Sequence, residues 1–160
     1  SSPAAFFFVP AFDYFGSEKV ITATLVDGKG AVSAKSLGLT VVAVNDAPSI
    51  IQNIATILAV EDQELSLAGA FAISDADFAF MPEGQSLSLG VSISSLHGAV
   101  GLSSTVPGCY ITSGHGFSLS STFSFQGDLT VIDKTLQQLV YKNCADCDSD
   151  DLITVSVNDF

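Results

Sequence analysis

The chain has 160 residues, 48% of them apolar, with 5 Lys plus Arg against 17 Asp plus Glu and a formal charge of −12. Such a field repels phosphate backbones, which argues against nucleic acid as a partner; it attracts cations and keeps a β-rich surface soluble. No apolar run is long enough to span a bilayer, and the apolar opening at residues 4–9 lacks the basic flank of a signal peptide.

Helix formers are few, and Val, Ser, Thr, Phe and Gly recur in short runs broken by Gly, Pro and Asp. That pattern specifies an all-β protein. Residues 6–9 form a short apolar run closed by Pro10, and a loop with aromatic plugs follows at 12–16. Residues 20–26 read as a strand, Asp27-Gly28-Lys29-Gly30 as a hairpin turn, and residues 35–44 as the return strand. Three strands are too few for an independent sandwich.

The β-branched run Val41-Val42-Ala43-Val44 leads into Asn45-Asp46, and Pro48 cannot donate to a sheet ladder. One body therefore ends here and another begins: residues 1–46 and residues 47–160. In the second, residues 50–60 read as an edge strand, residues 65–67 and 71–73 as short strands, and 74–77 as an acidic loop before a turn at 81–85. Leu87, Leu89, Val91 and Ile93 alternate with polar or small residues, the signature of a half-buried strand. Strands are expected at 97–102, 107–112 and 117–125, with Phe117, Leu119, Phe123 and Phe125 facing inward. Leu129, Ile132, Leu136 and Leu139 then fall at helical spacing, so a short helix is expected near 129–138, with Thr130 and Asp133 as its capping box. Residues 139–141 return to strand, 143–151 form a solvated acidic loop, and 152–157 make the last strand.

Two stretches repeat. Residues 17–27, S-E-K-V-I-T-A-T-L-V-D, parallel residues 149–159, S-D-D-L-I-T-V-S-V-N-D. Both carry Ser, an acid, an Ile-Thr pair and a closing Asp at the same offsets. Residues 1–46 thus read as the tail of one copy, and 47–160 as the next copy without its last strand. The sequence reads as a window on a longer tandem array.

Val44-Asn45-Asp46-Ala47-Pro48 resembles the inter-repeat linker of cadherin-like β-sandwich repeats. Ser74-Asp75-Ala76-Asp77, Leu96-His97-Gly98-Ala99-Val100, Phe125-Gln126-Gly127-Asp128-Leu129 and the stretch 154–159 are similar to the long cadherin-like repeats of large surface adhesins, and to chondroitin-sulfate-proteoglycan-type repeats. The resemblance implies an antiparallel Greek-key sandwich of the Ig or cadherin-like kind, an extracellular or cell-surface stalk or adhesive role, neighbouring repeats of the same chain as partners, and Ca²⁺ at the junctions. The implied ligands are Asn45 and Asp46 on the linker, Glu61 and Asp62 early in the second unit, Asp75 and Asp77 on the acidic loop, and Asp27 at a strand end. Ca²⁺ takes roughly 6–8 oxygens, so several must converge. The chain departs from the family at Ala43, where an acid is usual, and lacks the second Asn of the linker. Read as turn formers, the same residues simply cap strand ends.

The three cysteines are Cys109, Cys144 and Cys147. The C-x-x-C spacing suits redox and zinc sites, yet the βαβ setting of the first and the four ligands of the second are missing from the pattern, with His97 and His115 on separate loops. A structural disulfide is expected, either Cys144 with Cys147 or one of them with Cys109. Asp146-x-Asp148-x-Asp150 lacks the Gly and Glu of an EF-hand. No nucleophile elbow, zinc-protease signature or phosphate loop occurs.

The expectation is a non-enzymatic structural or adhesive segment that forms a rod or fibre, with Ca²⁺ at its hinge. The alternatives are a module that binds a glycan or a protein through its loops, and a filament subunit assembled by strand donation.

Overall fold

A computed structural model describes residues 6–81, 84–114, 118–147 and 149–160. His115, Phe117 and Asp148, singled out by the sequence, lie outside these residues. Among the described residues the fold is eleven antiparallel strands and one short helix, an all-β sandwich as expected. The chain divides into two compact units, one ending at Asn45 and the other starting at Asp46.

The first unit contains one hairpin, β1 (Gly16–Val26) with β2 (Val32–Val41), in register from Lys19↔Leu39 to Val26↔Val32. Its turn is built by Asp27, whose carboxylate accepts from the amides of Lys29 and Ala31 at 2.8 Å each. Gly30 occupies the left-handed region at φ 83°. Closing the turn on Ala31 starts the return strand at Val32, earlier than the expected residue 35. Leu25, Leu37 and Val20 are 73%, 63% and 62% exposed, so the hairpin's apolar residues are not sealed by a core of its own.

The second unit stacks two sheets. One is ordered β11 (Ile153–Asp159), β6 (Ser88–Ser95), β9 (Thr122–Asp128), β8 (Tyr110–Ser113). The other is β4 (Glu64–Ser66), β10 (Leu139–Lys142), β7 (Ala99–Leu102), with β3 (Ser49–Gln52) and β5 (Phe71–Ser74) as a separate pair. The connection from β6 to β7 crosses between sheets, as does the one from β10 to β11. Period-2 alternation sends Leu89, Val91 and Ile93 of β6 and Phe123 and Phe125 of β9 to one face, where they meet Val100, Leu102 and Leu139. The rings of Phe123 and Phe125 sit 5.3 Å apart and are fully enclosed.

The helix α1 (Leu129–Leu136) buries Leu129, Ile132 and Leu136, the stripe read from the sequence. Its cap differs from expectation. Asp128, in extended conformation, accepts from the Val131 amide at 2.8 Å, so Asp128 and not Thr130 is the N-cap. Thr130 already lies inside the helix, and Asp128 is the last residue of β9, where the backbone is still extended as a cap requires.

The expected strand over 50–60 stops at Gln52. The Asn53 amide donates to Ala70 O and its side chain to Gly69 O, which holds the chain at the turn preceding β5. Gly69 has φ 76°, and β5 begins only at Phe71, so there is no ladder for residues beyond 52 to join.

Candidate functional site

Two carboxylate clusters stand out in the second unit, with opposite physics. In the first, Asp75 follows β5 and is only 7% exposed. One of its oxygens accepts from the Asp77 amide at 2.9 Å, the two-residue reach by which an Asp builds an Asx turn. The other oxygen is enclosed and has no hydrogen-bond partner among the described residues. Asp77 opens a single 3₁₀ turn, Asp77–Phe80, and its carboxylate accepts from the Asp46 amide at 2.9 Å. Burial pushes the Asp75 carboxyl above its ordinary value, and the negative charges of Asp77 and Asp159 add to this, while the Asp77 amide opposes it. Ionised Asp75 is therefore a source of strain that protonation or a cation would relieve.

Three of the expected ligands thus come together: Asp46, Asp75 and Asp77, the first through its backbone. Among the described residues no three His, Cys, Asp or Glu side chains gather as a metal-holding group. Asp27 is committed to its hairpin turn, where the amides of Ala31 and Lys29 hold its carboxyl below the ordinary value. Asp62 lies in the turn before β4 with a left-handed φ of 60°. Glu61 lines a cleft together with Asn143, Asp150 and Asp151. Asn45 is the last residue of the first unit.

The second cluster is centred on Asp151, which the sequence reading assigned to a solvated acidic loop. The structure corrects this. Asp151 immediately precedes Leu152 and β11, and accepts six hydrogen bonds: from the hydroxyls of Ser95 (2.6 Å) and Tyr141 (2.7 Å), and from the amides of Leu96 (2.9 Å), His97 (2.9 Å), Gly98 (2.8 Å) and Leu152 (2.7 Å). One carboxylate thereby ties the β6–β7 turn to β10 and to the start of β11. Asn143 Oδ1, 3.1 Å from the Tyr141 hydroxyl, is a second, longer acceptor for its one proton, and the Asn143 side chain donates to the Cys147 carbonyl. The Cys144–Cys147 disulfide closes this loop with Cα atoms 5.5 Å apart; Asp146 between them adopts φ 57°, a conformation Asp tolerates better than most residues. Cys109 is a half-buried free thiol. A signal for the hub existed in the sequence, in the repeat alignment: Asp151 stands where the first copy has Lys19, so the two copies differ in charge at an aligned position.

Burial alone would push the Asp151 carboxyl up, but the hydrogen bonds from Ser95, Tyr141, Gly98 and His97 outweigh it and hold the group well below the usual carboxylate range. Burial, then the hydrogen bond to Asp151 and its charge, push the Tyr141 phenol up to about 12. The signs follow by linkage. A depressed carboxyl contributes stability that is present above its ordinary value of 3.8 and is lost as pH falls below it. A raised phenol contributes stability that is present below 10.0 and is lost as pH rises from there to about 12. Thermal melts across pH are expected to show the gap between wild type and Asp151→Asn closing below pH 3.8. A tyrosinate absorbance titration is expected to show one phenol ionising near 12, together with loss of folded structure.

Among the described residues no helix is long and apolar enough to cross a membrane. Comparison with known proteins finds no family model that matches the chain, no matching curated protein and no matching solved structure.

Proposed function

We propose that this chain is a segment of a non-enzymatic, extracellular structural or adhesive array of cadherin-like sandwiches, acting as a spacer with a cation site at the acidic end of each unit. The observation that carries the reading is the repeat: residues 17–27 and 149–159 align without a gap, and their shared Ile-Thr core falls on a strand in each compact unit, β1 in the first and β11 in the second. Repetition of one supersecondary unit is the hallmark of arrays whose product is length and spacing.

The cation belongs to the proposal because of Asp75. A nearly enclosed carboxylate with an unpartnered oxygen, raised in pKa by burial and by two other acids, suits a hard cation in donor chemistry. Asp75 and Asp77 supply two carboxylates, so water and backbone oxygens complete the set and binding is weak, in the range of extracellular Ca²⁺ modules, about 10⁻⁴–10⁻³ M. Because the Asp46 amide is held by Asp77, a bound ion restrains the point at which the chain enters the sandwich.

The test is calcium titration followed by calorimetry and thermal melting. At tenfold excess over Kd the expected stabilisation is about 1.4 kcal/mol, a rise of roughly 5 °C in Tm. Asp75→Asn is expected to raise the Tm of the cation-free protein by a few degrees, since it keeps the bond from the Asp77 amide and removes the charge, and to abolish the response to calcium. Elastase cleavage within residues 42–48 should slow when calcium is added. Equal Tm values with calcium and with chelator, in both proteins, remove the cation from the proposal. Specific binding on a glycan array speaks against a pure spacer.

A further inference from the structure

The alternation that turns Leu89, Val91, Phe123 and Phe125 into the core turns small polar side chains onto the outer face of the same four-stranded sheet. Across its strands the register builds one outward row from Tyr110, Gln126, Gly90 and Asn158. Ser124, Ser92 and Ser156 form the next row. Thr112, in the irregularity between Ile111 and Ser113, extends that row on β8. Neither row holds a charged residue, in a chain with 17 acids and 5 bases. Asp128, opposite Ser88 at one margin, is committed to capping α1.

These rows line a groove of about 400 Å³. Gly90 lowers its floor between Gln126 and Asn158, and the Phe160 ring closes it from above, with one ring carbon 2.9 Å from where a Cβ on Gly90 would stand. The side-chain amides of Gln126 and Asn158 make no hydrogen bond to another described residue, so each keeps its donors and its acceptor for a ligand. In the second row the Ser124 hydroxyl donates to the Ser92 hydroxyl at 2.9 Å, which fixes both. Tyr110 is 65% exposed at the β8 side. It stands two strand spacings from Gly90 and the Phe160 ring, about 10 Å, which is the length of a disaccharide unit in an extended chain.

We propose that this face is a saccharide-binding groove, and that its occupant is a neutral, extended oligosaccharide laid across the strands from Tyr110 to Phe160. Sugar hydroxyls both donate and accept, which matches a row of unpaired amides and hydroxyls. The apolar C–H faces of pyranose rings pack on aromatic side chains, which stand here at the two ends of the row. A few convergent polar groups in a concave site fix orientation, the part assigned to Gln126 and Asn158. The charge of −12 repels sulfated and sialylated chains, so the glycan is neutral. Such a groove goes beyond spacing: it gives the unit an adhesive side, and neither the repeat nor the cation enters it.

The probe is a glycan array of neutral, sulfated and sialylated chains, followed by NMR titration of the best neutral chain into the isotope-labelled protein. Neutral extended chains should be retained and the acidic ones not, and the amides of Gly90, Ser92, Gln126 and Asn158 should shift on titration. Tyr110→Ala and Gln126→Ala should each weaken binding at least tenfold, and Ser156→Lys, which fills the groove, should abolish it. All three lie on the outer face, so the melting temperature should hold. Thr24→Lys on β1 should leave the affinity unchanged. Retention of no neutral chain, shifts confined to the loops, or full affinity in Tyr110→Ala would overturn the assignment. A dimer in sedimentation that Ser156→Lys dissolves would give the face to a second copy instead. Glycan binding that persists in chelator, with no response to calcium, would remove the cation site and leave the groove.

Discussion

Replacing Asp151 by alanine is expected to lower the melting temperature of the 46–160 sandwich by roughly 10–20 °C, the equivalent of about 3–5 kcal/mol. The size follows from which donors lose their acceptor. The amides of Leu96 and His97 belong to exposed residues and turn to water at little cost. The Ser95 hydroxyl and the Gly98 amide belong to buried residues, and each such donor left unmet costs about 1–3 kcal/mol; the buried Tyr141 hydroxyl loses its shorter bond and falls back on Asn143 Oδ1 at 3.1 Å. Asp151→Asn should cost about half as much. It keeps one acceptor oxygen, and the hydroxyls of Ser95 and Tyr141 can rotate to accept from the new amide group. The Gly98 amide can only donate. Chemical denaturation of the three proteins, at constant m-value, checks the ordering; an alanine variant within about 1 kcal/mol of wild type would mean that water replaces the carboxylate.

The second large effect is expected at Gly98, on the same hub. A Cβ added there would stand 2.5 Å from the Tyr141 ring and 2.6 Å from the Lys142 carbonyl oxygen. The ring edge can shift; the carbonyl belongs to β10, in the middle of its sheet, and cannot retreat without breaking the pairing with β4 or β7. Gly98→Ala should therefore cost about 3 kcal/mol, at the upper end for overpacking, and displace the amide that Asp151 holds. Because Gly98, Tyr141 and Asp151 share one network, Gly98→Ala combined with Asp151→Ala should destabilise by clearly less than the sum of the two, by more than about 1 kcal/mol. Additive costs would show that the turn and the carboxylate act separately.

Both effects arise from a feature that local pattern hides. Asp151 sits in a run of acids beginning at Asp146, and composition alone reads that run as a solvated loop. Apart from the adjacent Leu152 amide, the donors to Asp151 come from positions more than fifty residues away, at the end of β6 and on the β6–β7 turn, and ten away on β10. Asp75 shows the complementary case. The short-range motif Asp-x-Asp was legible as an acidic loop, but that one oxygen would be enclosed without a partner among the described residues depends on how β5 packs, which no local spacing encodes.

The sequence by itself determined the all-β class, the break near Asn45, the Leu129–Ile132–Leu136 helical stripe and the alternation that makes β6 and β9 the core strands. These are properties of periodicity and of turn chemistry, which act over a few residues. Tertiary structure alone decided where the strand after Pro48 stops, which residue caps the helix, and which of the three possible cysteine pairings forms. Each of these depends on which distant backbone lies alongside, since hydrogen-bond partners and burial are set by neighbours in space and not by neighbours in the chain.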